Sequence, residues 1–394
     1  MANVTPEVWM ARALRLAHRG FYTAHPNPCV GCVLVKDEQV VGEGFHARAG
    51  EPHAEIHALE AAGDAARGAT AYVTLEPCSH HGRTGPCSQA LIDAGVVRVV
   101  AAMRDPNPQV AGRGLAMLRD AGVDVECGVL AADAHTLNRG FVSRMSLGRP
   151  FVRLKMAMSL DGRTAMASGE SQWITGPSAR NDVQRLRARA GAVISGIDSI
   201  IADDSRLTVR AEQLDLAEAE TIATRQPLRV VVDSRLRMPL AAACLRQPGR
   251  TVVATCSQDE ERRQHLESQG ADVLVLPPGP DGRVEPERLL RHLAEVEEIN
   301  DVLLETGATL AGAMLDAGWV DDMVLFVAPT LLGGAARPLF ELPGLTRMAE
   351  QKPLDISDIR ALGNDWRIVA TPRNRRTQAT VAKETGAQPS TKVP

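Results

Sequence analysis

The chain has 394 residues, 44% hydrophobic and 23% charged, with a formal net charge of −4, a profile of ordinary globular protein long enough for two domains. Aromatic residues make up only 3%, too few for the stacking platforms of a single-stranded nucleic-acid binder, and the acidic balance lacks that function's basic footprint. No apolar run reaches the ~20 residues of a membrane helix, the stretch from Met1 to Glu7 has no signal-peptide character, and seven scattered cysteines read as reduced thiols of a cytoplasmic protein.

Taken in order, Thr5-Pro6-Glu7 opens a helix with a hydroxyl cap, proline in the first turn and an acid beside the helix dipole. It runs to about His18. His25-Pro-Asn-Pro28 cannot be regular structure and feeds a buried strand, Cys29 to Val35, with a hairpin partner from Gln39 to Phe45. A helix is expected from Pro52 to about Ala62, a strand from Ala69 to Leu75, a helix from Pro86 to Ala94 closed by Gly95, and a strand from Val96 to Met103. A helix over 111–121 and a short strand over 123–127 follow. Strands alternating with helices predict an α/β sandwich around one sheet.

A second α/β unit begins near Phe151, after the short polar junction Ser143 to Pro150. Strands are expected at 151–158, 191–197, 228–233, 251–256, 271–276, 301–306 and 322–328, and helices at 178–189, 285–296 and 308–317. Residues 373–394 are polar and aromatic-free and read as a disordered tail. The organisation is thus 1–147, 148–372 and a tail, with no internal repeat.

Chemistry concentrates in His53-Ala-Glu55 and in Pro77-Cys78 and Pro86-Cys87, with eight residues between the cysteines. One imidazole and two thiolates are zinc ligands that leave a fourth position for water, and zinc lowers that water's pKa toward ~7. His-x-Glu followed by Pro-Cys and a second Cys is the pattern of zinc-dependent base deaminases, in which the Glu moves protons and is not a ligand. Here His53, Cys78 and Cys87 are the expected ligands and Glu55 the general acid–base. His53 and Glu55 converge only if His53 occupies the irregular first turn of its helix. The bland alternative is a closed structural zinc with His57, His80 or His81 as fourth ligand. The pattern is not His-Glu-x-x-His, so a zinc-protease reading fails. Cys29-x-x-Cys32 lies in an apolar strand and reads as two small buried side chains.

The chain also resembles the bifunctional riboflavin-biosynthesis deaminase–reductases of bacteria. The resemblance rests on Pro26 to Val35, Gly44-Phe-His46, His53-Ala-Glu55, Leu75 to Thr84 with Cys87, and Asp105 to Gly112 in the first half. In the second it rests on Lys155 to Arg163, Ser171 to Thr175 with Arg180, Ala202 to Arg210, Val230 to Ser234 and Glu305 to Leu310. The long cysteine spacer is typical of that family. The resemblance implies a cytidine-deaminase-like α/β/α sandwich followed by a dihydrofolate-reductase-like α/β domain. It implies zinc-hydroxide hydrolysis of the 2-amino group of 2,5-diamino-6-(5-phosphoribosylamino)pyrimidin-4(3H)-one. NADPH reduction of the ribosyl side chain of 5-amino-6-(5-phosphoribosylamino)uracil to ribityl would follow. One zinc per chain, small-molecule substrates, no nucleic-acid or membrane partner and a homo-oligomer are expected.

By the same resemblance Asn27, His46 and Asn107 contact the pyrimidine, and His80 to Thr84 forms a loop over it. In the reductase half Ala157, Trp173, Ser199, Asp203, Ser234, Gly307, Ala308, Thr309, Leu310, Ala311, Gly312 and Ala313 would bind the cofactor. Ser171, Arg187, Leu207, Arg210 and Glu305 would bind substrate. There is no Gly-x-Gly-x-x-Gly after a strand, so the cofactor site is not a Rossmann one. A glycine turn at Gly307, opening a helix, lets backbone N–H groups approach phosphate, and Arg187 and Arg210 suit the substrate's phosphate. Lys155 and Asp161 are both candidates for the proton donor of the sugar step, the alternative for each being simply to orient the strand. Gly85 and Ser205 stand where the family usually has proline, and Thr306 and Ala308 replace a more common glycine and proline beside Gly307.

Overall fold

The computed structural model describes residues 5–79 and 85–373. The loop His80–Thr84, with two of the alternative zinc ligands, and the expected tail from residue 374 onward fall outside the described residues. The chain divides into two units: Met1–Pro150 together with Ala294–Asn300, and Phe151–Leu293 with the remainder from Asp301.

The first unit is built from α1 (Pro6–Ala17), β1 (Gly31–Lys36), β2 (Gln39–Phe45), α2 (Ala54–Ala62), β3 (Thr70–Val73), α3 (Cys87–Asp93), β4 (Arg98–Ala101), α4 (Arg113–Asp120), β5 (Asp124–Cys127), α5 (Ala131–Leu137) and α6 (Arg139–Leu147). The five strands lie in the order β2-β1-β3-β4-β5. The hairpin β1/β2 and the pair β1/β3 are antiparallel, and β3, β4 and β5 run parallel. Strand side chains alternate between faces, and the apolar residues follow. Val33, Tyr72 and Val100 pack with α1, α5 and α6 on one side. Leu34, Ala71, Val73 and Val99 pack with α2, α3 and α4 on the other. The result is an α/β/α sandwich. Cys29 and Cys32 fall in opposite cores, so the pair is two buried small residues.

Glycine sets how close α2 comes to the hairpin. A Cβ on Gly44 would lie 2.3 Å from Ala54 O, and one on Gly42 2.2 Å from Ala58 O. Only residues without a Cβ let α2 lie down on β2 and bring its first turn to the end of the sheet.

The second unit comprises β6 (Phe151–Ser159), β7 (Arg163–Ala165), α7 (Pro177–Arg189), β8 (Ala192–Gly196), α8 (Ile197–Asp203), α9 (Ala219–Ala223), β9 (Leu228–Val232), β10 (Thr251–Thr255), α10 (Glu260–Ser268), β11 (Ala271–Val275), α11 (Pro286–Glu295), β12 (Asp301–Glu305), α12 (Ala308–Asp316), β13 (Asp322–Ala328), β14 (Arg337–Pro338), β15 (Leu354–Leu362) and β16 (Asp365–Pro372). Nine of its strands form one sheet, in the order β11-β10-β9-β8-β12-β6-β13-β16-β15. From β11 to β13 every pairing is parallel, and β16 and β15 continue antiparallel. Buried Val193, Val231, Val253 and Leu303 share a core with Ile197, Ile200 and Leu266 of the covering helices. In such a sheet, ligands gather at the carboxyl ends of the strands. The ends of β8 and β12 bring Gly196 and Glu305 to that edge, and Lys155, midway along β6, is paired with Glu305. Two buried bidentate contacts from Arg153 to Asp322, at 2.9 and 2.8 Å, tie β6 to β13.

Candidate active sites

In the first unit three elements converge. His53 is the residue before α2, with extended backbone (φ −75°, ψ 165°). It therefore escapes the helical direction that would aim it away from Glu55, one turn-step inside the same helix. Cys78 ends the turn that leaves β3, and Cys87 opens α3. His53 Nδ1 is 3.3 Å from Cys87 Sγ and 3.6 Å from Cys78 Sγ, and the three ligand atoms all lie within 4.8 Å of one another. A tetrahedron with zinc-to-ligand bonds of ~2.1–2.3 Å has edges of ~3.4–3.8 Å, so these atoms fit three corners.

The electrostatics suit a cation. The Cys78 thiol is pushed down to about 4, first by the hydrogen bond from Cys87, with His53 and the Cys87 backbone N–H adding to it. Cys87, the donor in that pair, is pushed up. The Cys87 N–H donates to Cys78 Sγ at 3.3 Å, the helix-end contact that favours thiolate. Glu55 is 3% exposed, and its Oε2 has no hydrogen-bond partner among the described residues. Burial, then the charge on Cys78, raises its carboxyl to about 7. A buried acid with one unoccupied oxygen beside a three-ligand cluster is equipped to take and return a proton near neutral pH.

Asn27 Nδ2 is 3.0 Å from His46 Nε2, and the His46 ring meets the His53 ring edge-on at 5.4 Å. His46 is buried, and burial pushes it down toward the neutral form; its Nδ1 faces Pro52 O at 3.2 Å. Asn107 belongs to the loop after β4, where its N–H donates to Asp105 Oδ1 and its Oδ1 accepts from the Gln109 N–H. His57 lies 3.6 Å from Glu60 on the outer part of α2.

In the second unit Arg187 of α7 grips Glu305 at the end of β12. The Nε–Oε1 distance is 2.6 Å and Nη2–Oε2 3.0 Å, and Nη1 donates to Thr208 O. Lys155 Nζ lies 3.8 Å from Glu305 Oε2, its strand position directly paired with that of Glu305. Burial lowers the Lys155 pKa against the pull of Glu305. Arg210 uses its backbone N–H on Gln184 and its Nη1 on Gln213. Leu207 is buried, with φ +55°.

Around the start of α12 the Gly307 N–H donates to Ser199 Oγ at 3.0 Å. The Gly196 N–H donates to Thr306 Oγ1 at 3.0 Å, so the unusual threonine ties the ends of β8 and β12 together. Ser171 Oγ donates to Asp203 Oδ1. Trp173 is 70% exposed, with the Arg180 guanidinium 4.7 Å from its ring centroid. Ala157 packs beside Val324 and Phe326. Ser234 Oγ accepts from the Val284 N–H. Asp161 accepts from Ser159 Oγ and from the N–H groups of Leu332 and Gly333. These bonds, Ser159 first, hold its carboxyl down at about 2, so it has no proton to give at neutral pH.

Sequence reasoning passed over Glu76, whose buried carboxylate accepts from four backbone N–H groups behind Cys78. Its position directly before Pro77-Cys78 is the only local signal.

Comparison with known proteins agrees with this geometry. Residues 4–103 match the family model of the cytidine and deoxycytidylate deaminase zinc-binding region, and residues 150–368 match the RibD C-terminal domain. The riboflavin biosynthesis protein RibD of Escherichia coli is 52% identical over 364 residues, 91% of this chain and 97% of that one. Its Haemophilus influenzae counterpart is 48% identical over 93% and 97%. Among solved structures, Acinetobacter baumannii RibD aligns with a TM-score of 0.86 at 50% identity, over 94% of this chain and 99% of that one. A Thermotoga maritima diaminohydroxyphosphoribosylaminopyrimidine deaminase/5-amino-6-(5-phosphoribosylamino)uracil reductase aligns with a TM-score of 0.81 at 32% identity, over 93% and 98%.

Proposed function

The chain belongs to the RibD family of riboflavin-biosynthesis proteins, and from that premise we propose how its residues divide two reactions between them. It is a bifunctional enzyme, a zinc-dependent hydrolase and an NADPH-dependent reductase. The deaminase converts the diamino-hydroxy-phosphoribosylaminopyrimidine to 5-amino-6-(5-phosphoribosylamino)uracil. The reductase then reduces the ribosyl side chain of that product to ribityl. We assign the first reaction to the unit Met1–Pro150 and the second to the unit that begins at Phe151.

In the first site His53, Cys78 and Cys87 would hold zinc, which would supply the Lewis acidity that brings water's pKa toward ~7. Glu55 Oε2 would take one proton of the attacking water and pass it to the ring nitrogen, then take the second and pass it to the departing amine, which leaves as ammonia. Asn27 and His46, linked to each other, and Asn107 orient the pyrimidine. What supports this most is the convergence of His53, Cys78 and Cys87 beside a buried acid with one unpartnered oxygen.

In the second site NADPH, when bound, would supply the hydride. Gly307 to Ala313 would cradle its phosphates, with Ala157, Trp173, Ser199, Asp203 and Ser234 as further contacts. Ser171, Leu207, Arg210 and the Arg187–Glu305 pair hold the substrate. Lys155 is the proton donor we favour, because its largely covered ammonium sits beside Glu305 while Asp161 is held as a carboxylate. The acidic charge and scarce aromatics support small-molecule partners over nucleic acid. A cytoplasmic homo-oligomer is the working expectation for the assembly.

Metal analysis of the purified protein, combined with assays of ammonia release and NADPH consumption, tests both halves. Activity undiminished after complete metal removal would refute the first. Ammonia release without any NADPH oxidation on the deaminated product would refute the second.

A further inference from the structure

One buried acid near the deaminase site has no chemical role in the reaction. Glu76, 3% exposed, directs Oε1 at the N–H groups of Gly114 (2.9 Å) and Leu115 (3.2 Å) and Oε2 at those of Asp105 (3.1 Å) and Gly112 (2.9 Å). One oxygen thus caps the first turn of α4. The other closes the loop 105–112 at both ends, and that loop carries Asn107.

Pro77 follows at once, and its ring fixes φ near −65°, so an orientation set at Glu76 carries through to Cys78 with little slack. The packing is equally tight. A Cβ on Gly114 would stand 1.9 Å from Pro77 O, so the Pro77-Cys78 turn lies against the bare backbone of α4. Beside Gly114, Ser88 Oγ donates to the carbonyls of Pro77 and Cys78 at 3.1 Å each.

We propose that Glu76 is the positioning residue of the deaminase site: it seats the Cys78 turn on α4 and holds the Asn107 loop in register with it. It touches neither substrate nor metal and acts through Cys78 and Asn107. This inference rests on the deaminase reading above. A carboxylate is needed because all four partners donate; in glutamine one oxygen becomes an NH2 facing two N–H groups.

The test compares wild type, Glu76→Gln and Gly114→Ala as full-length zinc-loaded proteins. Readouts are zinc retention against a chromogenic chelator, amide exchange at residues 112–115, ammonia-release kinetics and NADPH oxidation. For Glu76→Gln, amide exchange at Gly112, Gly114 and Leu115 should rise about 10-fold or more. Zinc should be held about 10- to 100-fold more weakly. The kcat for ammonia release should fall by a similar factor with a raised KM, and NADPH oxidation should stay at the wild-type rate. Gly114→Ala keeps Glu76 but forces the Pro77 carbonyl away, and should reproduce the zinc and kcat losses; it decides the matter if Glu76→Gln does not fold. Wild-type zinc retention and kcat in a folded variant, with only amide exchange altered, would reduce Glu76 to a helix cap and overturn the proposal. Failure of the wild type to release ammonia would sink the deaminase reading alone, since zinc retention and exchange still report on the turn.

Discussion

Arg187 and Glu305 form a two-pronged ion pair at 2.6 and 3.0 Å between residues 118 positions apart in sequence. The side chains are only 12% and 9% exposed, and Thr208 O takes another of the guanidinium's donors. Removing one member of such a pair strands a buried charge. Arg187→Ala should destabilise the second unit by about 3–5 kcal/mol and abolish NADPH oxidation, while ammonia release continues. Thermal unfolding with the two assays checks this; unaltered unfolding would mean that the pair does not persist in solution.

The same pair sets an acid limit. Burial would raise the Glu305 carboxyl, but Arg187 and Lys155 outweigh it and hold the value below the ordinary 4.5. A carboxylate depressed on folding stabilises fully above 4.5 and loses that contribution as pH falls through its folded value. The second unit should therefore tolerate mild acid. Arg187→Met should shift its acid-unfolding midpoint to higher pH, as followed by tryptophan fluorescence.

With its fork engaged by Glu305, Arg187 is poorly disposed to clamp a phosphate as well, so Arg210 is the one of the two arginines proposed for that task to test. Among the described residues the Arg210 guanidinium hydrogen-bonds through Nη1 alone, to Gln213 Oε1. Arg210→Ala should raise the reductase KM for its phosphorylated substrate by about 10-fold or more without the stability loss of Arg187→Ala. Added salt should narrow the gap from wild type. Equal KM values would place the phosphate elsewhere.

Glu55→Gln separates ligand from acid–base group. Glu55 belongs to the first turn of α2 but is not one of the three clustered ligands. Zinc content and the folded state should persist while kcat for ammonia release falls by about 10²- to 10⁴-fold. Loss of zinc in this variant would instead make Glu55 a ligand.

What could be read from the chain alone follows from how local each signal is. Each strand expected in the second half appears within one or two residues of its expected bounds, because buried parallel strands are short apolar runs bounded by turns. The ribbon β15/β16 went unread. β15 is exposed along most of its length and its register shifts between Ile356 and Asp358, so no clean alternation survives in Leu354 to Leu362. The helices α5, α6, α8, α9 and α10 were also missed; α5 and α8 are only seven residues each and α9 five, too short for a helical period to stand out. The zinc ligands announce themselves through residue type and spacing. Glu76 does not, because its partners lie 29 to 39 residues downstream and are backbone N–H groups with no residue signature. The Arg187–Glu305 pairing was hidden for the same reason of distance, although both residues were singled out separately.

The segment around Glu341 gives a last test, on the cofactor side. A Cβ on Gly312 would lie 2.1 Å from Glu341 O. The Glu341 N–H donates to Ala308 O at 3.2 Å, and Thr309 Oγ1 donates to Glu341 Oε2 at 2.8 Å. The first turn of α12, where NADPH phosphates are expected, is thus braced by a backbone that only glycine allows so near. Gly312→Ala cannot be absorbed by a rotamer change, because the obstacle is a carbonyl. The brace must move, at a cost of about 1–3 kcal/mol, and the N–H groups of the α12 turn should move with it. The KM for NADPH should rise several-fold more than that for the pyrimidine substrate, with ammonia release unaffected. Glu341→Gln, which keeps the backbone contact, should leave the NADPH KM much closer to wild type. Equal effects of the two substitutions would show that the side-chain bond to Thr309, not the close approach at Gly312, shapes the cofactor turn.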